Sequence, residues 1–473
     1  MMLFRDIDFG PDDAKGDTRL SEYFVRIPEY EKVRTGAAWL VVGRKGTGKT
    51  AICEMIHDEC TNSPEAFSVV LSFKNAPTSD LFASSDRTFR APNEYVSIWR
   101  FLITLESCKL LLQDESVDSA ARDELEAFLR LNFGQVDVAC LDAVSMLRER
   151  SWKVGFTPPV EGAPGAELTH NTGTATHQQI HYGRAAATLL QRLSELRSEN
   201  RFYLLFDELD EDYRKEPAYF HLLISLLKAC YGVRQELRGR ISILPIVVLR
   251  EDIYSQLDDG DLNKLDDVTV RLKWSSSRTD DRQLSLRRMV NERIRSDRDS
   301  VQSDAWLDVV QESDWRSADG GWAYVTALTM DRPRDIVKLL KCCQEYEPGQ
   351  TLTKSGINQA VAGYSAWLYR EIANEIFREL PEYRLALGVV GRVANRAFGL
   401  ETWLREFTKE EELASKYRPD QVLETLFDFS VVGIAARGRN LFKYKTDQLI
   451  FDKGASFCVH PGLKRHLAIH PST

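Results

Sequence analysis

The segment that most constrains the fold is residues 43–50, which read Gly-Arg-Lys-Gly-Thr-Gly-Lys-Thr. It matches the phosphate-binding loop (P-loop) pattern of a glycine, four residues and Gly-Lys-Thr. The uniformly apolar run 37–42 before it is typical of a parallel strand covered on both faces. Apolar residues recur at helical spacing over 52–60. The sequence therefore predicts a strand, a loop and a helix in the order that this motif requires.

The residue types of the loop are suited to binding an anion. Glycines adopt backbone angles that a side chain would block, so successive N–H groups can turn toward a phosphate, and the following helix adds its positive end. We expect Lys49 to reach the β and γ phosphates and the Thr50 hydroxyl to ligate Mg²⁺. The predicted nucleotide-binding residues are Gly43, Arg44, Lys45, Gly46, Thr47, Gly48, Lys49, Thr50 and Ala51.

A second motif places two acids after an apolar run. Residues 202–206 are apolar and precede Asp207 and Glu208. Such a run is common by itself, but downstream of a P-loop it predicts a Walker B strand. Asp207 is expected to hold the magnesium shell, directly or through water, and Glu208 to polarise the attacking water.

Three more strands are predicted at 68–73, 241–249 and 268–274. Because Pro245 has no N–H to donate to a ladder, we expect the continuous paired part of its strand to begin near Ile246.

Arg250 follows the predicted strand 241–249, at the end where ligands of parallel sheets collect. Two interpretations remain open. Arg250 is either a sensor of the γ phosphate or part of a structural ion cluster with Glu251 and Asp252.

Helical patterns dominate residues 92–199, in which 95–112 is apolar almost all round and predicts a buried helix. The glycine- and proline-rich stretch 161–176 predicts a flexible loop inside this insertion. It is either a linker or a loop that responds to nucleotide or binds a partner.

A later helix is predicted to begin at Pro333, because proline suits the first helical turn. Arg332 and Arg334 flank it, although a cation at a helix N-terminus opposes the helix dipole. An anion nearby would remove the conflict. We therefore predict Arg334 as a nucleotide sensor, with simple salt bridging as the alternative.

The last third is predicted to be winged-helix-like, with helices at 383–396, 402–416 and 419–429 before a hairpin over 431–445 whose turn is basic. The acids Asp420, Glu424 and Asp428 recur every four residues on the last helix and would repel phosphates. A protein-docking or structural role is therefore favoured over DNA reading, although the basic turn leaves contact with the DNA backbone open.

Composition argues against several classes of protein. The chain of 473 residues has 62 basic and 71 acidic side chains, a net charge of −9 that disfavours broad coating of nucleic acid. It shows neither an apolar run of membrane-spanning length nor a secretory signal, so we expect a cytoplasmic protein without membrane contact. The eight cysteines form no CxxC pair. His177 and His181 lack the glutamate of a metalloprotease helix, which favours surface or capping histidines over metal ligands.

These features together resemble a family of bacterial P-loop ATPases related to the STAND and AAA+ (origin-recognition-like) ATPases. The segments that carry the resemblance are Tyr23-Phe24-Val25-Arg26-Ile27-Pro28, the P-loop, Asp207-Glu208, Arg332-Pro333-Arg334-Asp335 and Val459-His460-Pro461-Gly462-Leu463. The resemblance covers most of the chain, and only the insertion 92–199 has no place on the family pattern. It implies ATP and Mg²⁺ as ligands, a lid arginine offered to ATP, and a regulatory or defence role, since members often lie in mobile or antiviral-defence loci.

The predicted fold class is an α/β P-loop NTPase of the additional-strand, catalytic-glutamate type. It has a parallel sheet, a large helical insertion, a helical lid and a C-terminal winged-helix-like domain. The predicted division is a lead at 1–30, an ATPase core at 31–275 with the insertion 92–199, a lid at 276–350, and a helical and winged-helix-like domain at 351–473.

Three functions remain open from the sequence. The first is a Mg²⁺-dependent, ATP-hydrolysing switch that controls a protein partner, an effector or an assembly. The second is a DNA-binding ATPase of the origin-recognition type. The third is a module that holds ATP without appreciable turnover. Homo-oligomer formation is open in each case.

Overall fold

The chain divides into two compact units in the computed structural model. The sheet unit comprises residues 26–45 and 49–272, and the helical unit comprises residues 1–25, 46–48 and 273–473. The four-part division predicted from the sequence is finer and stays a prediction. The structure describes residues 3–72, 91–149, 175–210, 216–276, 284–297, 303–316, 320–347, 349–393, 397–436 and 439–467. Most of the predicted loop 161–176, the side chains of His177 and His181, and the centre of the basic turn, 437–438, lie outside these residues.

Ten strands are described: β1 (Leu40–Gly43), β2 (Ala66–Ser72), β3 (Arg201–Asp207), β4 (Ser242–Arg250), β5 (Thr269–Leu272), β6 (Trp274–Ser275), β7 (Leu284–Ser285), β8 (Val432–Ala436), β9 (Arg439–Leu441) and β10 (Phe457–Val459).

The described helices from the N-terminus through the sheet unit are α1 (Leu20–Tyr23), α2 (Pro28–Arg34), α3 (Lys49–Thr61), α4 (Val96–Leu111), α5 (Ser119–Phe133), α6 (Cys140–Glu149), α7 (Ala175–Glu195), α8 (Pro217–Glu236) and α9 (Glu251–Tyr254). Those that follow are α10 (Leu286–Asp297), α11 (Gly320–Ala327), α12 (Pro333–Gln344), α13 (Lys354–Ile376), α14 (Tyr383–Val393), α15 (Leu400–Phe407), α16 (Glu411–Lys416), α17 (Pro419–Asp428) and α18 (Pro461–Lys464). No helix in the described part of the chain has both the length and the apolar character that a membrane span requires.

The sheet unit is built on five parallel strands in the order β2-β3-β4-β1-β5. Strand β4 lies between the P-loop strand β1 and the acidic strand β3. All four residues of β1, and all of β3 and β4 after their first residue, are buried, as their continuous apolar composition predicts. The predicted α/β class with a parallel sheet is confirmed.

The prediction that pairing of β4 begins near Ile246 is wrong. Strand β4 pairs with β3 from Ser242 onward, and Pro245 sits in register with Leu204. The N–H of Val247 donates to Trp39 O, on the side of β1. Backbone directions alternate along a strand, so Pro245 faces the same side and its missing N–H removes no bond to β3.

Helix α4 is the buried helix that the apolar segment 95–112 predicts. Trp99 is 1% exposed, packs edge-on against Phe206 of β3 with ring centroids 6.1 Å apart, and donates its indole N–H to Leu222 O of α8 at 2.9 Å. Because the Trp99 side chain packs against β3 and also donates to α8, helix α4 lies between the sheet and α8.

The C-terminal part of the helical unit follows the predicted order of helices and then a hairpin. The predicted helix 402–416 is two helices, α15 and α16. Strands β8 and β9 are antiparallel, and β10, which the sequence did not predict, pairs with the other edge of β8. Strand β9 ends at Leu441 because the chain turns there, with Lys445 N–H donating to Phe442 O at 3.1 Å. The winged-helix assignment itself stays a prediction.

Candidate functional site

The P-loop lies between β1 and α3, so the predicted strand, loop and helix are present. Strand β1 ends at Gly43, and α3 begins at Lys49. Gly46 has φ of 78° and Gly48 has φ of 91°. These values lie in the left-handed region, where a side chain on an L-residue is disfavoured, which explains glycine at both positions.

Lys49 folds back over the loop. Its Nζ donates to Gly43 O and Arg44 O, each at 3.0 Å. Burial lowers the pKa of Lys49, Arg250 acts in the same direction, and Asp210 opposes both. Because burial disfavours the charged amine, an anion at the loop would stabilise it.

Asp207 is the last residue of β3 and is 8% exposed. Its Oδ1 accepts the backbone N–H of Glu208 at 2.8 Å. Burial raises the pKa of Asp207, while the Glu208 N–H and a hydrogen bond from the Thr50 side chain lower it. The two predicted magnesium ligands, Thr50 and Asp207, therefore lie beside each other. A hydroxyl and a carboxylate are oxygen donors of the kind that Mg²⁺ prefers.

Glu208 has φ of 56°, an uncommon value for a residue with a side chain. Its Oε2 accepts a hydrogen bond from Ser72 Oγ at 2.5 Å. Ser72 ends β2 and pairs in register with Asp207, which places it at the same edge of the sheet. Sequence reasoning missed Ser72, because only the pairing of β2 with β3 makes it a neighbour of Glu208.

Arg250 ends β4, is 7% exposed and forms an ion cluster. Its Nε and Nη2 donate to the two carboxylate oxygens of Asp252 at 3.0 and 2.5 Å, and its Nη1 lies 3.6 Å from Asp210 Oδ2. Glu251 lies 3.9 Å from Arg271. The sensor role of Arg250 stays a prediction. Asp210 is another residue that sequence reasoning missed.

Arg334 lies in the first turn of α12, in the helical unit, to which loop residues 46–48 also belong. Its backbone N–H approaches Gly46 O at 3.4 Å. Its Nε donates to Asp12 O at 3.0 Å, and its Nη atoms lie 3.6 Å from Glu371 and 3.7 Å from Asp13. The salt bridges that the sequence offered as an alternative are present. The predicted sensor role is still untested.

Arg332 belongs to a buried ion network. It is 2% exposed, its Nε lies 3.0 Å from both carboxylate oxygens of Asp335, and its Nη1 lies 2.6 Å from Glu375. Asp335 also accepts the N–H of Met330 at 3.0 Å. The carboxylate of Asp335, itself in the first turn of α12, therefore offsets the unfavourable position of Arg332 on the helix dipole.

The chain is similar to several known proteins. Residues 284–373 match the family model of the FunZ-associated C-terminal helical domain. A curated relative, the "Putative transposon gamma-delta 80.3 kDa protein" of Escherichia coli strain K12, is 21% identical over 491 aligned positions, which cover 96% of this chain. The chain spans 66% of the length of that relative.

Among solved structures, the Aeropyrum pernix ORC2 protein in its ADPNP–ADP complexes is similar at 13% identity and a TM-score of 0.40. The match covers 96% of this chain and 98% of that chain.

Proposed function

We propose that the chain is a Mg²⁺-dependent ATPase that works as a switch. The observation that carries the proposal is that the P-loop after β1 and the carboxylates of Asp207 and Glu208 after β3 lie at the same edge of the parallel sheet, with Thr50 beside Asp207. A P-loop, a hydroxyl–carboxylate pair and a second carboxylate at one edge of a parallel sheet are the groups that phosphoryl transfer to water needs.

Each residue has a separate part in this proposal. The loop amides and Lys49 bind the phosphates, and Lys49 compensates the charge that builds up on them. Thr50 and Asp207 would hold Mg²⁺, which when bound neutralises charge on the β and γ phosphates. Glu208 orients a water and accepts its proton.

The hydrogen bond from Ser72 occupies one oxygen of Glu208. We infer that this bond holds Glu208 in the left-handed backbone conformation and restrains its carboxylate before a water is bound. Ser72 is then a positioning residue that acts through Glu208.

We propose that nucleotide state controls a protein partner or an assembly, in a mobile or antiviral-defence context, with Arg334 as the residue that senses ATP. What supports the mobile context is that the curated relative is named as a transposon protein.

The direct test is ATP binding by Lys49→Ala. Loss of a charge-assisted contact to phosphate should weaken affinity for a fluorescent ATP analogue about 10- to 100-fold. Lys32→Ala, which removes an exposed lysine of α2, is the charge-matched control and should bind normally. Circular dichroism checks that both variants fold. Equal affinity of Lys49→Ala and wild type would remove the P-loop assignment.

A further inference from the structure

A cavity of about 890 Å³ lies in the sheet unit at the edge opposite the P-loop. Its lining includes Asn200, which immediately precedes β3, and Ser242, the first residue of β4. The P-loop follows the carboxyl end of β1, whereas these are the amino ends of parallel strands. Six steps along β3 at about 3.3 Å each separate the two edges by roughly 20 Å. The cavity is therefore distinct from the proposed nucleotide site.

Four arginines and one acid contribute charge to the lining: Arg197, Arg234, Arg238, Arg240 and Glu199. Glu236, near the same end of α8, does not offset this charge, because both of its oxygens accept from Arg100, at 2.7 and 2.9 Å.

Arg234 is the least exposed of these four arginines. One of its guanidinium nitrogens donates to Gly36 O, but Nη1 is buried and has no hydrogen-bond partner in the described part of the chain. Burial lowers the pKa of Arg234, and the neighbouring Arg238 lowers it further. Because Arg234 and Arg238 repel each other, an anion in the cavity would offset the repulsion between these arginines.

The other arginines differ in how far they are engaged. Arg240 Nη1 donates to Ser194 O. The side chains of Arg197 and Arg238 are exposed, and within the described ranges neither has an acidic partner. The planar guanidinium fork suits bidentate contact with phosphate oxygens, and several such groups around one cavity favour a ligand with more than one phosphate.

We propose that this cavity is a second anion site, which binds a small ligand bearing two or more phosphate groups. The volume lies within the range of about 300–1,000 Å³ that is usual for small-molecule sites. Nucleic acid is disfavoured, because a strand needs an extended basic track, whereas these arginines line one cavity. Tyr231, which is 40% exposed, also lines the cavity and offers a ring for a base to stack on. Free polyphosphate and a nucleoside polyphosphate thus share the required chemistry.

The test uses the full chain carrying Lys49→Ala, so that the P-loop does not compete. Titration calorimetry with tripolyphosphate should show saturable binding at one site. Adding Arg238→Gln or Arg234→Gln should weaken this binding about tenfold or more, the effect of losing a charge-assisted hydrogen bond. Arg184→Gln removes an exposed arginine of α7 that does not line the cavity and should leave the affinity unchanged.

A parallel titration with ATP in the same background separates the two ligand sources. Tighter binding of ATP than of tripolyphosphate would assign a base contact to Tyr231, whereas equal affinity would assign recognition to phosphate alone. Arg238 is exposed, so its variant is expected to fold even where Arg234→Gln does not.

Three outcomes would overturn the proposal. The first is no saturable binding of tripolyphosphate, and the second is an equal loss in Arg184→Gln and Arg238→Gln. The third is a single-stranded oligonucleotide that binds more tightly than tripolyphosphate and loses affinity in Arg238→Gln, which would assign the cavity to nucleic acid.

Discussion

In the proposed site, different residues bind the nucleotide and activate the attacking water. Lys49 donates to the loop and Thr50 lies beside Asp207, whereas Glu208 accepts a hydrogen bond from Ser72, a residue of β2. Substitutions at Glu208 and Ser72 should therefore change turnover without removing the phosphate-binding groups.

Glu208→Gln should bind ATP with nearly wild-type affinity and lose hydrolysis. The amide has the shape of the carboxylate, but it cannot accept a proton from water comparably, so the loss falls on the chemical step by about 100-fold or more. Steady-state phosphate release and ATP-analogue binding, measured on the same preparation, check this. A wild-type rate of release would exclude Glu208 as the base.

Ser72→Ala should change turnover through Glu208 and leave ATP affinity almost unaltered. The variant removes the hydroxyl that donates to Glu208 Oε2 and keeps the backbone pairing of β2 with β3. Ser72→Thr retains a hydroxyl and should restore the wild-type kcat, which a purely steric role would not predict. A shift of KM with kcat unchanged in Ser72→Ala would instead place Ser72 in substrate binding.

At the scale of elements, helix α12 is anchored at its first turn by the buried network of Arg332, Asp335 and Glu375. Removing the arginine leaves two buried carboxylates without their cation, and such a loss is strongly destabilising. Arg332 thus acts in the packing of α12 against α13, which carries Glu375.

Arg332→Met should lower the free energy of unfolding of the helical unit by about 3–5 kcal/mol. Lys338→Met, on the same helix, removes a partly exposed cation 3.9 Å from Asp12 and should cost less than about 1 kcal/mol. Urea unfolding followed by tryptophan fluorescence compares the two, since Trp306 and Trp322 lie in this unit. A similarly small effect in both variants would contradict the network's importance.

Two acids of helix α17 are paired with cations in the described part of the C-terminal region. Asp420 pairs with Arg418 and with Lys453, each at 2.7 Å, and Asp428 lies 3.2 Å from Lys443. These pairs partly offset the repulsion of phosphates that the sequence predicts, and they also engage Lys443 and Lys453. Salt-dependent binding of duplex DNA remains the measurement that separates the DNA-binding alternative from the switch.

At the scale of the whole molecule, the predictions that succeeded rest on local patterns. The P-loop and the acidic strand are each one continuous segment of the sequence, so periodicity and glycine positions are enough to predict them. Ser72 and Asp210 join the site through strand order, and Asp12 reaches Arg334 from far along the chain. Contacts between segments distant in sequence leave no local signal. The prediction for Pro245 fails for the same reason, because the pairing of β4 with its neighbouring strands decides whether the missing N–H costs a hydrogen bond.

Arg334 is the proposed sensor of ATP. Within the helical unit its backbone contacts the P-loop at Gly46, and its side chain lies between Asp13 and Glu371. We propose that a γ phosphate bound at the loop competes with these carboxylates for the guanidinium, so that ATP, unlike ADP, reorganises the contacts around the first turn of α12. Residues 276–350 should then be more protected from protease with ATP than with ADP.

Arg334→Ala should bind ADP almost normally and lose the extra protection that ATP gives. Lys338→Ala, one turn further along α12, is the matched control and should keep it. Limited proteolysis with ADP, ATP and no nucleotide, read by mass spectrometry of the fragments, makes the comparison. If Arg334→Ala keeps the full ATP-dependent protection, its ion pairs with Asp13 and Glu371 are structural only. Arg250, at the carboxyl end of β4, is then the next residue to test, because Arg332 is held by its buried network.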